Sequence, residues 1–313
     1  MNIFVTGATK VLGQPVVRML VENGHNVYAL SRSPENDAII RGLGAEPVVV
    51  DLFDAAALTK VLRQIRAEAV VHLATKIPPT ARMGKAASWR ENDHIRRDGM
   101  RALVDAALAS DVRTVVYPSF YYVYPDSGER WIDAASTPAQ SHVTQQATID
   151  AEAEVARFAR DGGGRRGISL RMGNLYGPGV PSALEQLQMA RKGMAMLPGP
   201  GGAYLSYVWL EDAAHAIVTA LSEAPSGVYD VVDDEPVTRD EFAAALARSV
   251  GKKRLFRVPN GLIKMLSGVS ADLITRSQRV SNRRFRQATS WRPTVSTVKQ
   301  GWSLIADPSV VAA

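Results

Sequence analysis

The chain predicts an α/β protein, a doubly wound parallel sheet with a smaller C-terminal lobe. Three observations carry this expectation. The chain opens on a short apolar run, Ile3-Phe4-Val5, that breaks into a loop bounded by Gly7 and Gly13 and resumes as a helix pattern, with Val16, Val17, Leu20 and Val21 on one side, up to Gly24. Further short apolar runs then alternate with amphipathic segments, which is the rhythm of βαβ units. At 313 residues the chain is long enough for such a sheet and a second, smaller unit.

In the first unit, Gly7 allows the turn without a Cβ and Gly13 allows the helix to lie close to the strand. The free N–H groups at the helix start offer an anion site, and a dinucleotide pyrophosphate fits there. The second strand, Val27 to Leu30, ends in Ser31-Arg32, where an acid would serve the ribose hydroxyls of NAD(H). Arg32 is either a solvated loop charge or the partner of a 2′-phosphate; after the glycine loop, the second reading is taken, and with it NADP(H) over NAD(H).

Pro47 to Val50 is a continuous apolar run and predicts a parallel strand buried on both faces, followed by Asp54 as the cap of a helix bearing Leu58, Val61, Leu62 and Ile65. Ala69 to Thr75 gives the fourth strand, with His72 read as a packed core histidine. Residues 76–90 lack a period and predict a loop over the strand ends, where ligands of open sheets bind. A helix is expected from about Trp89 to Ser110, a fifth strand over Thr114–Tyr117, a helix over 144–160, a sixth strand over Ile168–Arg171 and a helix over 237–251.

The opening Thr6-Gly7-Ala8-Thr9-Lys10-Val11-Leu12-Gly13, the stretch His72-Leu73-Ala74-Thr75 and the stretch Leu170-Arg171-Met172-Gly173-Asn174-Leu175-Tyr176-Gly177-Pro178-Gly179 resemble the extended branch of the short-chain dehydrogenase/reductase superfamily, the epimerase/dehydratase-like proteins. The resemblance implies a Rossmann domain over 1–177 with a return segment near 205–235, and a substrate lobe made of 178–204 and 236–313. It implies cofactor contacts from Gly7, Thr9, Lys10, Val11, Leu12, Gly13, Ser31, Arg32, Asp51, Leu52, Leu73, Ala74, Thr75, Pro118 and Asn174. Asp51 would touch the adenine in that family, although a strand-end turn residue reads equally well. Lys10 stands where the fingerprint has its middle glycine; it either crowds the turn or reaches a cofactor phosphate, and the second is expected.

The family's proton relay is missing. Aligned on Val123-Tyr124, the catalytic Ser or Thr position holds Phe120, with Ser119 one residue off. The Asn position holds Arg96, the Tyr position Thr144 and the Lys position Thr148. Independently of alignment, none of the nine tyrosines is followed by a lysine four residues later. Tyr121 and Tyr122, where sugar dehydratases of this family carry an acid pair, are the remaining candidates for a catalytic donor, or they simply line an apolar pocket. Phe120, Tyr121, Tyr122, Thr144 and Trp209 are expected to form an aromatic substrate site. Arg171 reads as structural and Asn174 as facing the nicotinamide end.

Composition narrows the classes. Zero cysteines exclude disulfide and thiolate chemistry, and five scattered histidines predict no metal site. No apolar run approaches the roughly 20 residues of a membrane span, and strand residues begin at Ile3, so no membrane association and a cytoplasmic location are expected. Residues 252–292 carry eleven Lys or Arg against Asp272 alone, yet without interleaved aromatics or a reading motif no nucleic-acid partner is predicted. Nothing in the sequence fixes an oligomeric state.

These readings predict an NADPH-dependent ketoreductase acting on a small aromatic ketone. The resemblance extends to reductases that tailor aromatic polyketides in antibiotic biosynthesis. Without the relay, a hydroxyl beside the substrate carbonyl would stabilise the oxyanion. The alternative is a non-catalytic NADP(H)-binding regulator or redox sensor that kept the fold and lost the relay.

Overall fold

The computed structural model describes residues 1–79, 82–139, 143–257, 261 and 271–306; of 143 and 144 only the backbone is described. Strand β1 (Asn2–Thr6) is built from β-prone residues, and its alternate side chains serve two cores. Ile3 and Val5 join one core with Val16, Leu20, Ile217 and Trp291. Phe4 points the other way, into a second core with Leu58, Leu103, Val115 and Phe158.

Helix α1 (Gly13–Glu22) buries Pro15, Val16, Val17 and Leu20. It stops at Gly24, whose φ of +75° suits a residue without Cβ, and the His25 N–H closes the end on the Leu20 carbonyl at 3.1 Å. Strand β2 (Asn26–Ser31) leads to α2 (Pro34–Gly42), where Ser33 accepts from the Asn36 N–H at 3.3 Å and Pro34 takes the first turn. Strand β3 (Glu46–Val49) leads to α3 (Ala55–Gln64), capped as expected by Asp54, which accepts from the Ala57 N–H at 2.9 Å.

Seven parallel strands form the sheet, in the order Gly227–Val231, Arg166–Met172, β5 (Thr114–Phe120), β4 (Ala69–His72), β1, β2, β3. The chain runs outward from β1 through β2 and β3, then returns to the other side of β1 with β4. This reversal opens a crevice at the carboxyl ends of β1 and β4, the place where open sheets receive ligands. The doubly wound α/β expectation therefore holds.

Two local expectations do not. β3 is the edge strand, so it is not buried on both faces, and Val49 is 79% exposed. The helix expected over 89–110 is a 3₁₀ turn (Ala86–Trp89), a short α segment (Arg90–His94), a π turn (Ile95–Gly99) and an α-helix (Met100–Leu108). At the π turn Gly99 meets α3's approach, where a Cβ would fall 3.0 Å from Leu52 Cδ2.

His72 is buried, with Nδ1 2.7 Å from Thr6 Oγ1 across the β1–β4 pairing. Burial pushes its pKa down to about 4, so it is a neutral core imidazole joining two strands. A third core gathers Tyr176, Leu187, Tyr207, Trp209, Phe242 and Trp302, drawn from segments after the sheet's sixth strand. The helix Arg239–Ser249 in this region starts on a capping box between Thr238 and Glu241. Among the described residues no helix is long and apolar enough to cross a membrane.

Candidate active site

The crevice is shaped first by glycine. Gly7 has φ +75°, and a Cβ there would lie 2.6 Å from the Ala74 nitrogen. A Cβ on Gly13 would lie 2.1 Å from the Gly7 carbonyl oxygen. Both side chains would fill the space that brings β1, the end of β4 and the start of α1 together. Thr6 reinforces the same junction, its Oγ1 accepting from the Ala74 N–H at 3.2 Å, which sets Leu73, Ala74 and Thr75 alongside the turn.

Lys10 does not crowd this turn. It lies outside the left-handed region, its N–H donates to the Gly7 carbonyl at 3.2 Å, and its side chain is exposed. Thr9, Val11 and Leu12 complete the loop; no side chain caps the start of α1, whose Gln14 and Val16 N–H groups already donate to the Lys10 and Leu12 carbonyls at 3.0 and 3.3 Å, so the N–H groups of Val11 to Gly13 are the ones left for an anion. This cradle fits a dinucleotide pyrophosphate.

At the end of β2, Ser31 is buried and donates to the Ser33 carbonyl at 3.2 Å. Arg32 is exposed and, among the described residues, has no hydrogen-bond or ion-pair partner. Asp51 is exposed and accepts from the Phe53 N–H at 3.0 Å, making the strand-end turn and leaving its second oxygen free of that bond. Leu52 is half-buried against Gly99.

Strand β5 overhangs its neighbour, because pairing with β4 ends at Val116 while pairing with Arg166–Met172 continues to Phe120. Pro118 sits in that overhang, where a missing N–H is tolerable. Beyond it, a 3₁₀ turn over Tyr121–Val123 stacks three rings together. Phe120 meets Tyr121 edge-on at 5.4 Å and Tyr122 at 4.7 Å, and the two tyrosines stack at 4.5 Å.

Tyr121 is fully buried, and Asn174 Nδ2 donates to its hydroxyl at 2.7 Å. Burial, and then the neighbouring Tyr122, push its pKa well above that of an ordinary phenol. Tyr122 is half-buried, with its carbonyl accepting from Gln145 Nε2 at 2.5 Å.

The relay positions are occupied by other chemistry. Phe120 replaces the hydroxyl, and Thr148 is buried on the helix Val143–Arg160. Thr144 lies outside the residues whose side chains are described. Arg96 turns inward at the π turn and donates to the Tyr117 hydroxyl at 2.5 Å. Ser119 donates to Glu152, which forms a buried pair with Arg171 at 2.7 Å. Arg171 also lies over the Tyr124 ring, and Tyr124 donates to Asp230 at 2.7 Å, so this polar chain is internal scaffolding under the sheet end.

Trp209 is not with the aromatic triplet. It packs edge-on to Tyr176 at 5.2 Å within the third core, because it ends a strand (Tyr207–Trp209) paired to Asn174–Tyr176 and its indole covers Gly177. Sequence reading missed Arg239, a buried cation at the start of its helix; its only signal was an arginine three residues before Phe242 on one helical face.

The comparisons agree with this architecture. A family model, NAD dependent epimerase/dehydratase family, matches residues 3–231. The chain is 30% identical, over 96% of its length and 99% of the other's, to a 3-diazoavenalumate denitrifying reductase of a Streptomyces species. It is 27% identical, over 82% of its length and 77% of the other's, to 2-alkyl-3-oxoalkanoate reductase of Stenotrophomonas maltophilia. Among solved structures, human epimerase family protein SDR39U1 with NADPH superposes with a TM-score of 0.82 at 21% identity, covering 98% of this chain and 100% of that one. Thermus thermophilus UDP-glucose 4-epimerase with NAD gives 0.78 at 22%, covering 100% and 99%. At those identities the structural matches speak for the fold, while the family model and the Streptomyces relative together establish that the chain belongs to the NAD dependent epimerase/dehydratase family.

Proposed function

We propose that the chain is an NADPH-dependent reductase that reduces a ketone on an aromatic, polyketide-type substrate without a tyrosine–lysine relay. The observation that carries this is the pairing of a glycine turn suited to a dinucleotide with an aromatic cluster, Phe120, Tyr121 and Tyr122, at relay positions that hold Phe120 and Thr148.

Gly7 and Gly13 let β1, the end of β4 and the start of α1 close together into the turn that would hold the pyrophosphate, with the α1 start facing its charge and Arg32 its 2′-phosphate. Leu73 to Thr75 and Pro118 would line the cofactor's path, with Asn174 toward its nicotinamide end. The bound nicotinamide supplies the hydride. The rings of Phe120 and Tyr122 orient a flat substrate and keep water from it.

Reduction of a ketone then needs one proton. A hydroxyl beside the carbonyl shares its own proton with the developing alkoxide and is replenished from solvent. Tyr121 stays neutral, and its amide partner leaves it no nearby base. Sugar-nucleotide epimerisation or dehydration is disfavoured, because both begin with removal of a hydroxyl proton by the missing tyrosine. Antibiotic tailoring is the setting that the resemblance to polyketide-tailoring reductases supports.

A second reading is favoured by one observation, the Streptomyces relative named for denitrifying reduction of a diazo compound. Hydride added to an aryl diazonium gives the arene and N₂ with the cofactor oxidised, and that step needs no proton from the protein. The absence of a relay suits it equally.

The experiment is NADPH oxidation, followed by absorbance, with ortho-hydroxyaryl ketones, aryl ketones lacking that hydroxyl, and an aryl diazonium salt. Turnover restricted to the hydroxyl-bearing ketones supports the proposal. Turnover of the diazonium alone supports the second reading, and oxidation by none with NADPH still bound returns the chain to a non-catalytic regulator.

A further inference from the structure

Arg239 is 1% exposed. A guanidinium so deeply buried is costly unless its donors and its charge are answered. Nη2 donates to the carbonyls of Ile274 and Arg276 at 2.9 and 3.0 Å. Nε and Nη1 are buried without a hydrogen-bond partner, and among the described residues no carboxylate pairs with this cation. Gly199 presses flat on Nε and Cζ, since a Cβ there would come within 3.2 and 3.1 Å of them. Nη1 is therefore the donor left for something else.

The surroundings say where this cation sits. Phe242, three residues on along the same helix, stacks on Tyr207 at 4.9 Å. Arg276, whose carbonyl holds Nη2, donates from its own side chain to the Tyr124 carbonyl at 2.9 Å, and Gln278 reaches the same carbonyl at 2.7 Å. The segment that anchors Arg239 is thus fastened to the turn that carries Tyr121 and Tyr122. Among the described residues, Tyr122, Tyr121 and Tyr207 lie near enough to favour the Arg239 charge and Arg257 near enough to oppose it.

We infer that Arg239 is a specificity residue that binds a carboxylate on the aromatic substrate, so that the site selects acids over neutral rings of the same shape. This rests on the reading of the tyrosine cluster as the substrate site and names the substrate class for it. A carboxylate supplies the counter-charge that the fold withholds, and the tyrosine hydroxyls are donors for its second oxygen. An unanswered buried cation at this place is otherwise a burden on the fold.

The test uses the full chain and a matched pair of probes, 6-hydroxy-2-naphthoate and its methyl ester, titrated by calorimetry with and without saturating NADPH. The acid is expected to bind at least about tenfold tighter than the ester, the ratio that one charge-assisted contact supplies. The preference should vanish in R239Q and survive in part in R239K. Equal affinities in the wild type, no binding of either probe, or an undiminished preference in R239Q overturns the inference. If R239Q does not fold, the wild-type ratio and R239K decide. NADPH binding is read separately by its own fluorescence, so acid selectivity in a chain that never oxidises NADPH would sink the reductase reading and leave Arg239's role standing.

Discussion

Asn174 donates to the Tyr121 hydroxyl at 2.7 Å, and the phenol it holds is fully buried. An amide and a second phenol, Tyr122, are the hydrogen-bonding partners of the tyrosine nearest the expected nicotinamide end. Burial therefore sets its acidity, and Tyr121 is a fixed neutral donor, not an ionisable acid. In ultraviolet titration at the phenolate band, wild type and Tyr121→Phe should superimpose up to pH 10. An additional phenolate appearing in the wild type below that pH contradicts this assignment.

Gly13 and the Gly7 carbonyl leave no room for a methyl group. Gly13→Ala must push α1 off β1 and close the pyrophosphate cradle. NADPH binding, followed by fluorescence, should weaken more than tenfold, with a stability loss of about 1–3 kcal/mol in urea unfolding from overpacking. Unchanged affinity would mean that the dinucleotide does not enter at this turn.

Arg32 is exposed at the end of β2, where an acid would favour the unphosphorylated cofactor. Arg32→Ala should weaken NADPH binding by about ten- to a hundredfold, the loss of one charge-assisted contact worth about 1.5–3 kcal/mol, and leave NADH unchanged. Equal losses for the two cofactors would remove the basis for preferring NADP(H).

Much of the fold was legible because its signals are local. The β1 run, the glycine pair and the cap Asp54 each act within a few residues of their own position. What was not legible depends on partners far along the chain. The exposure of β3 follows from its place at the sheet edge, which no property of Pro47 to Val50 encodes. The π turn at Ile95–Gly99 lets Arg96 reach Tyr117 on β5, and periodicity alone reads it as ordinary helix. Trp209 carries the same aromatic signature as Tyr122, yet its strand pairing turns it into the third core. Arg239 looks like a surface charge in sequence, and only its carbonyl partners near residue 275 show it buried.

Asp230 gives a pH signature with a definite sign. Burial pushes its pKa up to about 7 from an ordinary 3.8, so the folded chain binds a proton there more readily than the unfolded chain. Its contribution to stability is fully present below about pH 4 and is lost as pH rises toward 7. Asp230→Asn keeps an acceptor for Tyr124 but removes the titration. The melting temperature of Asp230→Asn relative to wild type should therefore be higher at pH 7.5 than at pH 4.5, measured by calorimetry. A difference that stays constant or reverses contradicts a raised pKa at this buried acid.

Whether the protein contributes an acid to hydride transfer is decided most directly by Tyr122→Phe and Tyr121→Phe, compared with wild type on an ortho-hydroxyaryl ketone at saturating NADPH. If the substrate's own hydroxyl stabilises the oxyanion, kcat should stay within about threefold of wild type in both variants, far from the roughly 10² to 10⁴-fold that a positioned acid contributes. A fall of that size in either variant, with substrate and cofactor still bound, would identify a displaced tyrosine donor and contradict catalysis without a relay.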